Sequence, residues 1–118
     1  MSEAAADIRV ALMTAPSIDV AERIVRALVE SGVVACGNIV PGVTSIYRWR
    51  GAVEQESEVV VLFKTVAGRT LELVERVRAL HPYDVPELLV LGVEAGNASY
   101  IDWVRESSAG LQRESDGE

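Results

Sequence analysis

The sequence predicts an α+β fold of the ferredoxin-like order β-α-β-β-α-β: an antiparallel sheet with helices on one face and a further helix at the C-terminus. Three observations lead there. Two helix patterns with recognisable starts and stops are separated by a long pair of β-rich segments. A tight turn, Arg50-Gly51, joins those segments as a hairpin. The chain has 118 residues, enough for one domain.

Taken in order, Ile8–Met13 alternates Ile8, Val10 and Leu12 against Arg9, Ala11 and Met13 and reads as the first strand. Pro16-Ser17 ends it and opens a helix with Ser17 or Asp19 as N-cap, Asp19 and Glu22 forming a capping-box pair. Pairs at Val20/Ala21, Ile24/Val25 and Leu28/Val29 give that helix its apolar face, and Gly32 supplies a left-handed stop. Val33–Val40 is β-rich, is interrupted at Pro41-Gly42, and resumes over Val43–Arg50. The return strand carries Glu54, Glu56 and Glu58 before the apolar run Val59–Phe63. A second helix spans about Gly68 to Leu80, with Leu71, Val74, Val77 and Leu80 or Leu73 turned inward, and Pro82 stops it. Leu88–Glu94 is the last strand. Asn97 caps a closing helix, Ala98–Glu106, with Tyr100, Ile101 and Val104 inward. Residues 1–7 read as a disordered lead-in, 8–107 as one domain and 108–118 as a disordered tail.

Dimensions add an expectation about assembly. Fully extended, Val33–Arg50 would reach roughly 60 Å at about 3.3 Å per residue. A domain of this size has a radius of gyration of about 13 Å. The hairpin must therefore bend at Pro41-Gly42, project beyond its own subunit, or both. A projecting apolar hairpin with unpaired edges needs another chain to cover it, so a homo-oligomer is expected.

Composition narrows the function. Hydrophobic residues make up 49% and charged residues 25%, a globular balance, while aromatics are only 5%, so aliphatic side chains must build the core. The net charge of −7 argues against nucleic acid. Four of those seven charges come from residues 1–7 and 108–118, so the exclusion is weaker than the total suggests. No apolar run is long enough for a transmembrane helix, the first residues are acidic where a secretion signal is basic, and a single cysteine cannot form an intrachain disulfide. Together these features point to the cytoplasm.

Three motifs then stand out in order: Ala35-Cys36-Gly37-Asn38-Ile39, the run from Pro41 to Gly51, and Leu80-His81-Pro82-Tyr83-Asp84-Val85-Pro86-Glu87. With Ser57-Glu58 before a hydrophobic strand ending Lys64-Thr65, and Gly96-Asn97 before Tyr100–Trp103, they make the chain resemble the CutA family of divalent-cation tolerance proteins over about Ile8–Arg105. The resemblance implies a ferredoxin-like homotrimer built through long hairpins, with a subunit similar to the PII signalling proteins. It also implies a link to copper and other divalent cations. Gly37 stands where many members carry a larger side chain, which suggests a bulge or a close backbone approach. Some members have additional cysteines proposed as metal ligands, and this chain has none besides Cys36.

The candidate metal ligands are Cys36, His81 and Glu87. Cys36 is the only thiol, suited to a soft or borderline metal, and equally a small buried hydrophobe. His81 is the only histidine, a common metal ligand and equally a residue favoured at a helix C-terminus. Glu87, with Asp84, could add carboxylate oxygen. One thiol and one imidazole cannot fill a tetrahedral zinc site, so carboxylate, water or a neighbouring subunit would have to complete a weak, exchangeable one.

Tyr47, Arg48, Trp49 and Arg50 form an aromatic-basic cluster near the hairpin tip, expected at a subunit interface rather than as a nucleic-acid platform. The strand Glu58–Thr65 lacks the Gly/aromatic signature of an RNA-recognition module. No nucleophile-base-acid spacing and no phosphate loop is present, so an enzyme is not expected. The functional expectation is a trimer that binds divalent metal, copper foremost. The alternative is a PII-like sensor that takes a small anion or a partner between subunits, with Lys64, Arg48 and the loop from His81 to Glu87 lining the cleft.

Overall fold

The computed structural model describes residues 4–108. Its elements are strand β1 (Ile8–Ala15), helix α1 (Ile18–Glu30), strands β2 (Cys36–Trp49) and β3 (Ala52–Val66), helix α2 (Thr70–Leu80), strand β4 (Leu88–Gly92) and helix α3 (Ala98–Ser107). One 3₁₀ turn, Ala67–Arg69, leads into α2. The strands form one sheet in the order β2-β3-β1-β4, with every neighbouring pair antiparallel. The expected α+β class and element order are both present.

Local chemistry explains the boundaries. The Ser17 hydroxyl accepts the Val20 N–H and caps α1. At the other end the Val33 N–H returns to the Leu28 carbonyl, with Gly32 at φ 77, so the glycine takes the left-handed position that closes the helix. Arg50 and Gly51 have φ of 52 and 85, the paired left-handed conformation of a two-residue hairpin turn, with Trp49 opposite Ala52. At Pro41-Gly42 the register slips between Val40 and Val43, and Gly42 has φ 78. This β-bulge bends the hairpin, and the molecule still measures 50 × 30 × 22 Å.

The two faces of the sheet differ. Ala11, Met13 and Ala15 of β1 and Val59, Val61 and Phe63 of β3 point to the side covered by α1 and α2. They are buried there with Ile24, Leu28, Leu73 and Val77. Gly37 lies on this side too. A Cβ added to it would come within 3.0 Å of a Val25 methyl and 3.3 Å of the Phe63 ring, so the close approach expected at this glycine is present. On the opposite side the register aligns Leu12 with Leu62 and Leu89, and Val10 with Leu91. The end of that face around Ile8 and Ala35 is covered by Ile101 and Val104 of α3, and at the other end Thr14 and Glu58 are buried beside Glu87 and Tyr83. Leu89 is 58% exposed and Leu91 49%.

Several expectations are met differently. Tyr100, expected to face inward from α3, is 43% exposed, and Asp19, expected in a capping box, lies inside the first turn of α1, whose cap is Ser17. Leu71 is 81% exposed, because the inner side of α2 runs through Leu73 and Val77. Residues 4–7, expected in the lead-in, are tied down: Ala5 is buried and donates to the Glu94 carbonyl, and Asp7 meets Arg105 at 2.8 Å. That guanidinium holds the Asp7 carboxyl below its usual range. Ser108, at the start of the expected tail, is buried and closes α3 through the Val104 carbonyl, while the rest of the tail lies outside the described residues.

Candidate functional site

Chemistry-bearing side chains gather where the C-terminal end of β1, the middle of β3 and the loop between α2 and β4 meet. Pro82 ends α2 just after His81, whose backbone turns to the extended region while its N–H still bonds Val77. The imidazole folds back into the core and is 6% exposed. Nε2 lies 2.7 Å from the Thr14 carbonyl, which can only accept, and Nδ1 receives the Tyr83 N–H at 3.2 Å. The ring is therefore the neutral tautomer with its proton on Nε2, and both nitrogens are engaged.

The rest of the loop is fixed from the same centre. The Tyr83 ring lies 4.7 Å from that of His81, and its hydroxyl donates to Glu58 Oε2 at 2.8 Å. Glu58 is almost fully buried. Burial first, and then the hydrogen bond and charge of Glu58, raise the Tyr83 phenol above its usual value. The Thr14 hydroxyl donates to Glu87 at 3.4 Å. Thr14 thus joins His81 through its carbonyl and Glu87 through its side chain.

Beyond the bulge, Val43 pairs with Glu58, Ser45 with Glu56 and Tyr47 with Glu54, so the aromatic side of the hairpin shares a face with its carboxylates. The bent hairpin and the loop enclose a cleft of about 520 Å³ between Tyr47, Trp49 and Arg50 on one wall and Tyr83, Asp84 and Glu87 on the other. The Arg50 guanidinium lies 5.3 Å over the Trp49 ring. Arg48 pairs with Val53 on the other face of the hairpin, and neither it nor Lys64 lines this cleft.

Cys36 stands apart from His81 and Glu87. It pairs with Lys64, which pairs with Val10 on β1, four positions before Thr14. That offset places it about 13 Å away along the strands alone, at about 3.3 Å per residue. The half-buried thiol lies 3.6 Å from the Tyr100 hydroxyl, which burial and then Cys36 push up to about 12. Lys64 donates to Asn38 beside it. Among the described residues no group of three His, Cys, Asp or Glu side chains could hold a metal ion. One chain does not assemble the three candidate ligands.

Sequence reasoning missed Thr14, Glu58 and Tyr83 as parts of this centre. A signal existed for Thr14, the polar residue that follows the apolar run Val10–Met13, and for Tyr83, an aromatic inside the distinctive stretch from His81 to Glu87. The bond from Tyr83 to Glu58 spans 25 positions and had no local signal.

Comparison with known proteins agrees with this architecture. A family model described as CutA1 divalent ion tolerance protein matches residues 9–107. The divalent-cation tolerance protein CutA of Thermus thermophilus is 52% identical over 99 residues, 84% of this chain and 96% of its own length. Its solved structure superposes with a TM-score of 0.83, covering 85% of this chain and 97% of that one at 51% identity. Protein CutA of Homo sapiens is 45% identical over 96 residues, 81% of this chain but 54% of its own length, so the match spans about half of that relative. A structure from Archaeoglobus fulgidus, described as a periplasmic divalent cation tolerance protein, gives a TM-score of 0.83 at 33% identity and covers 86% of this chain and 98% of that one.

Proposed function

Since the chain belongs to the CutA1 family of divalent ion tolerance proteins, we propose that it is a non-enzymatic homotrimer of the cytosol. In this reading it binds divalent metal as exchangeable cargo, copper foremost, and so contributes to metal tolerance. The observation that carries the assembly is the uncovered apolar face of the sheet. Leu12, Leu62, Leu89 and Leu91 lie side by side there without a helix over them. The strand edge of β2 and the hairpin side chains Tyr47 and Trp49, on the same face of the ribbon, extend that unprotected surface. Monomeric proteins rarely leave so large a continuous apolar area in water. Closing three ferredoxin-like subunits around that face, as in PII-like proteins, would bury it and place Tyr47, Arg48, Trp49 and Arg50 at the boundaries between subunits. Cytosolic residence is supported by the unpaired single thiol, and among the described residues no helix is long and apolar enough to cross a membrane. Nucleic acid is not among the proposed partners, given the net charge of −7.

Metal binding in this reading rests first on Cys36, a half-buried thiol suited to copper. Water and donors of a neighbouring copy would complete its coordination. Glu87 contributes exposed carboxylate oxygen, and His81 contributes only by giving up one of its two ring hydrogen bonds. Calorimetric titration with copper and zinc tests this, using the wild type beside Cys36→Ala, His81→Ala and Glu87→Gln. Loss of copper binding in Cys36→Ala is the expected result, and unchanged binding in that variant would remove the thiol from the site. A second reading, a PII-like sensor trimer without a direct metal role, draws on the cleft between hairpin and loop. Stabilisation by a small metabolite and not by metals would favour it.

A further inference from the structure

The uncovered face of the sheet carries one cation in an apolar row. Along β3, Val60, Leu62 and Lys64 alternate onto it, level with Thr14, Leu12 and Val10 of β1. Lys64 is the only basic residue among the strand positions of that face. It is half-buried, and its ammonium donates to the side-chain carbonyl of Asn38, a neutral partner. The ion pairs among the described residues join Arg69 to Glu72 and Arg105 to Asp7 and Asp102, and none compensates Lys64. An ammonium is tolerated there while water reaches it. Once another copy covers the face, the charge needs an anion, because an ion taken out of water unpaired is strongly unfavourable.

The complement lies on the same strand. Past the sheet, β3 keeps its alternation without a slip through Glu58, Glu56 and Glu54, opposite Val43, Ser45 and Tyr47. Glu58 is buried and accepts the Tyr83 hydroxyl. Glu56 and Glu54 belong to the projecting part of the hairpin, on the side that continues the uncovered face, and none of the same ion pairs engages them. Within one chain they are out of reach of Lys64. Eight positions of one extended strand separate Glu56 from it, about 26 Å at about 3.3 Å per residue, and Glu54 lies farther still. A hairpin that rests on the sheet of another copy brings these carboxylates to the one cation that the sheet offers.

We infer that in the assembled protein Lys64 of one copy pairs with a hairpin carboxylate, Glu56 or Glu54, of a neighbouring copy. The inference rests on the homotrimer proposed above and adds its register: leucine rows slide past one another with little penalty, whereas a buried ion pair selects one alignment. Each chain carries both the lysine and the hairpin, so a closed ring makes the same pair at every interface.

Sedimentation equilibrium over a range of protein concentrations tests it on wild type, Lys64→Glu, Glu56→Lys and the two combined, with Glu54→Lys taken through the same scheme. Each reversal within the pair is expected to weaken association at least about tenfold, and the combined swap to recover most of that loss. The neutral variants Lys64→Met, Glu56→Gln and Glu54→Gln give a second cycle, in which the combined loss is smaller than the sum of the single ones while far-UV circular dichroism stays unchanged. Coupling between positions about 26 Å apart in one chain arises only across copies. Recovery with either carboxylate supports the inference and identifies the partner. Losses that simply add for both carboxylates, or association indifferent to Lys64→Glu, would overturn the ion pair and leave the trimer standing. A wild type at the mass of a single chain would overturn both.

Discussion

The two faces of the sheet are built from nearly the same amino acids and end in different states. On one, Ala11, Met13, Val61 and Phe63 are fully buried under α1 and α2. On the other, Leu12, Leu62, Leu89 and Leu91 form an equally apolar row with no helix over it, between the α3 end and the buried Thr14 and Glu58. Period-2 alternation with apolar residues at both parities means that both faces were meant to leave water. One chain supplies enough helix for only one of them. The difference therefore separates what one chain buries by itself from the face on which the proposed assembly rests.

The strongest way to break the comparison is to empty the covered face. Phe63→Ala removes the largest fully buried side chain and is expected to cost about 3–5 kcal/mol in denaturant unfolding. Leu62→Ala, its neighbour on the open face, should cost far less in any species that remains monomeric. Comparable losses at both positions in a monomer would erase the distinction between the faces.

Next comes the polar centre at the edge of the open face. Tyr83→Phe leaves the buried Glu58 without its hydroxyl donor and should destabilise by about 1–3 kcal/mol. It has a pH signature as well. The folded phenol titrates above the usual value of 10.0, so its contribution is complete below that pH and fades as pH rises through the folded value. Stability measured from neutral to strongly alkaline pH should fall more steeply in wild type than in Tyr83→Phe, and identical slopes would contradict the assignment.

Smaller effects lie away from either face. Ser17→Ala removes the α1 cap, worth about 1 kcal/mol. Asp7→Asn removes the carboxylate that pairs with Arg105 on the surface, and should cost under about 1 kcal/mol at neutral pH. Because the folded carboxyl titrates below 3.8, that contribution holds above this value and disappears as pH falls through the folded one. Acid unfolding midpoints of wild type and Asp7→Asn should then differ slightly, and a clearly more stable variant would show the pair to be unfavourable.

Features that depend on neighbours in sequence were legible. Ser17, Gly32, Pro41-Gly42 and Arg50-Gly51 act through backbone geometry within a few residues, and each stands where the sequence places a cap, stop, bend or turn. Features that depend on register were not. Cys36 and His81 look like partners as the only thiol and the only imidazole. Strand pairing instead sets Cys36 beside Lys64 and Tyr100, and His81 beside Thr14. Leu71 repeats in phase with Val74 yet faces water, because two apolar stripes were open to α2 and packing against α1 and the sheet chose the one through Leu73 and Val77. The cleft escaped the sequence for the same reason: its walls come from segments joined only by the bend of the hairpin.

Assembly over the open face is the claim on which the rest turns, and sedimentation equilibrium at low micromolar concentration tests it directly. The expected result is a species three times the 12.7 kDa chain mass, falling toward the single-chain mass in Leu12→Asp while the secondary structure is kept. A wild-type protein that sediments at 12.7 kDa would contradict the account.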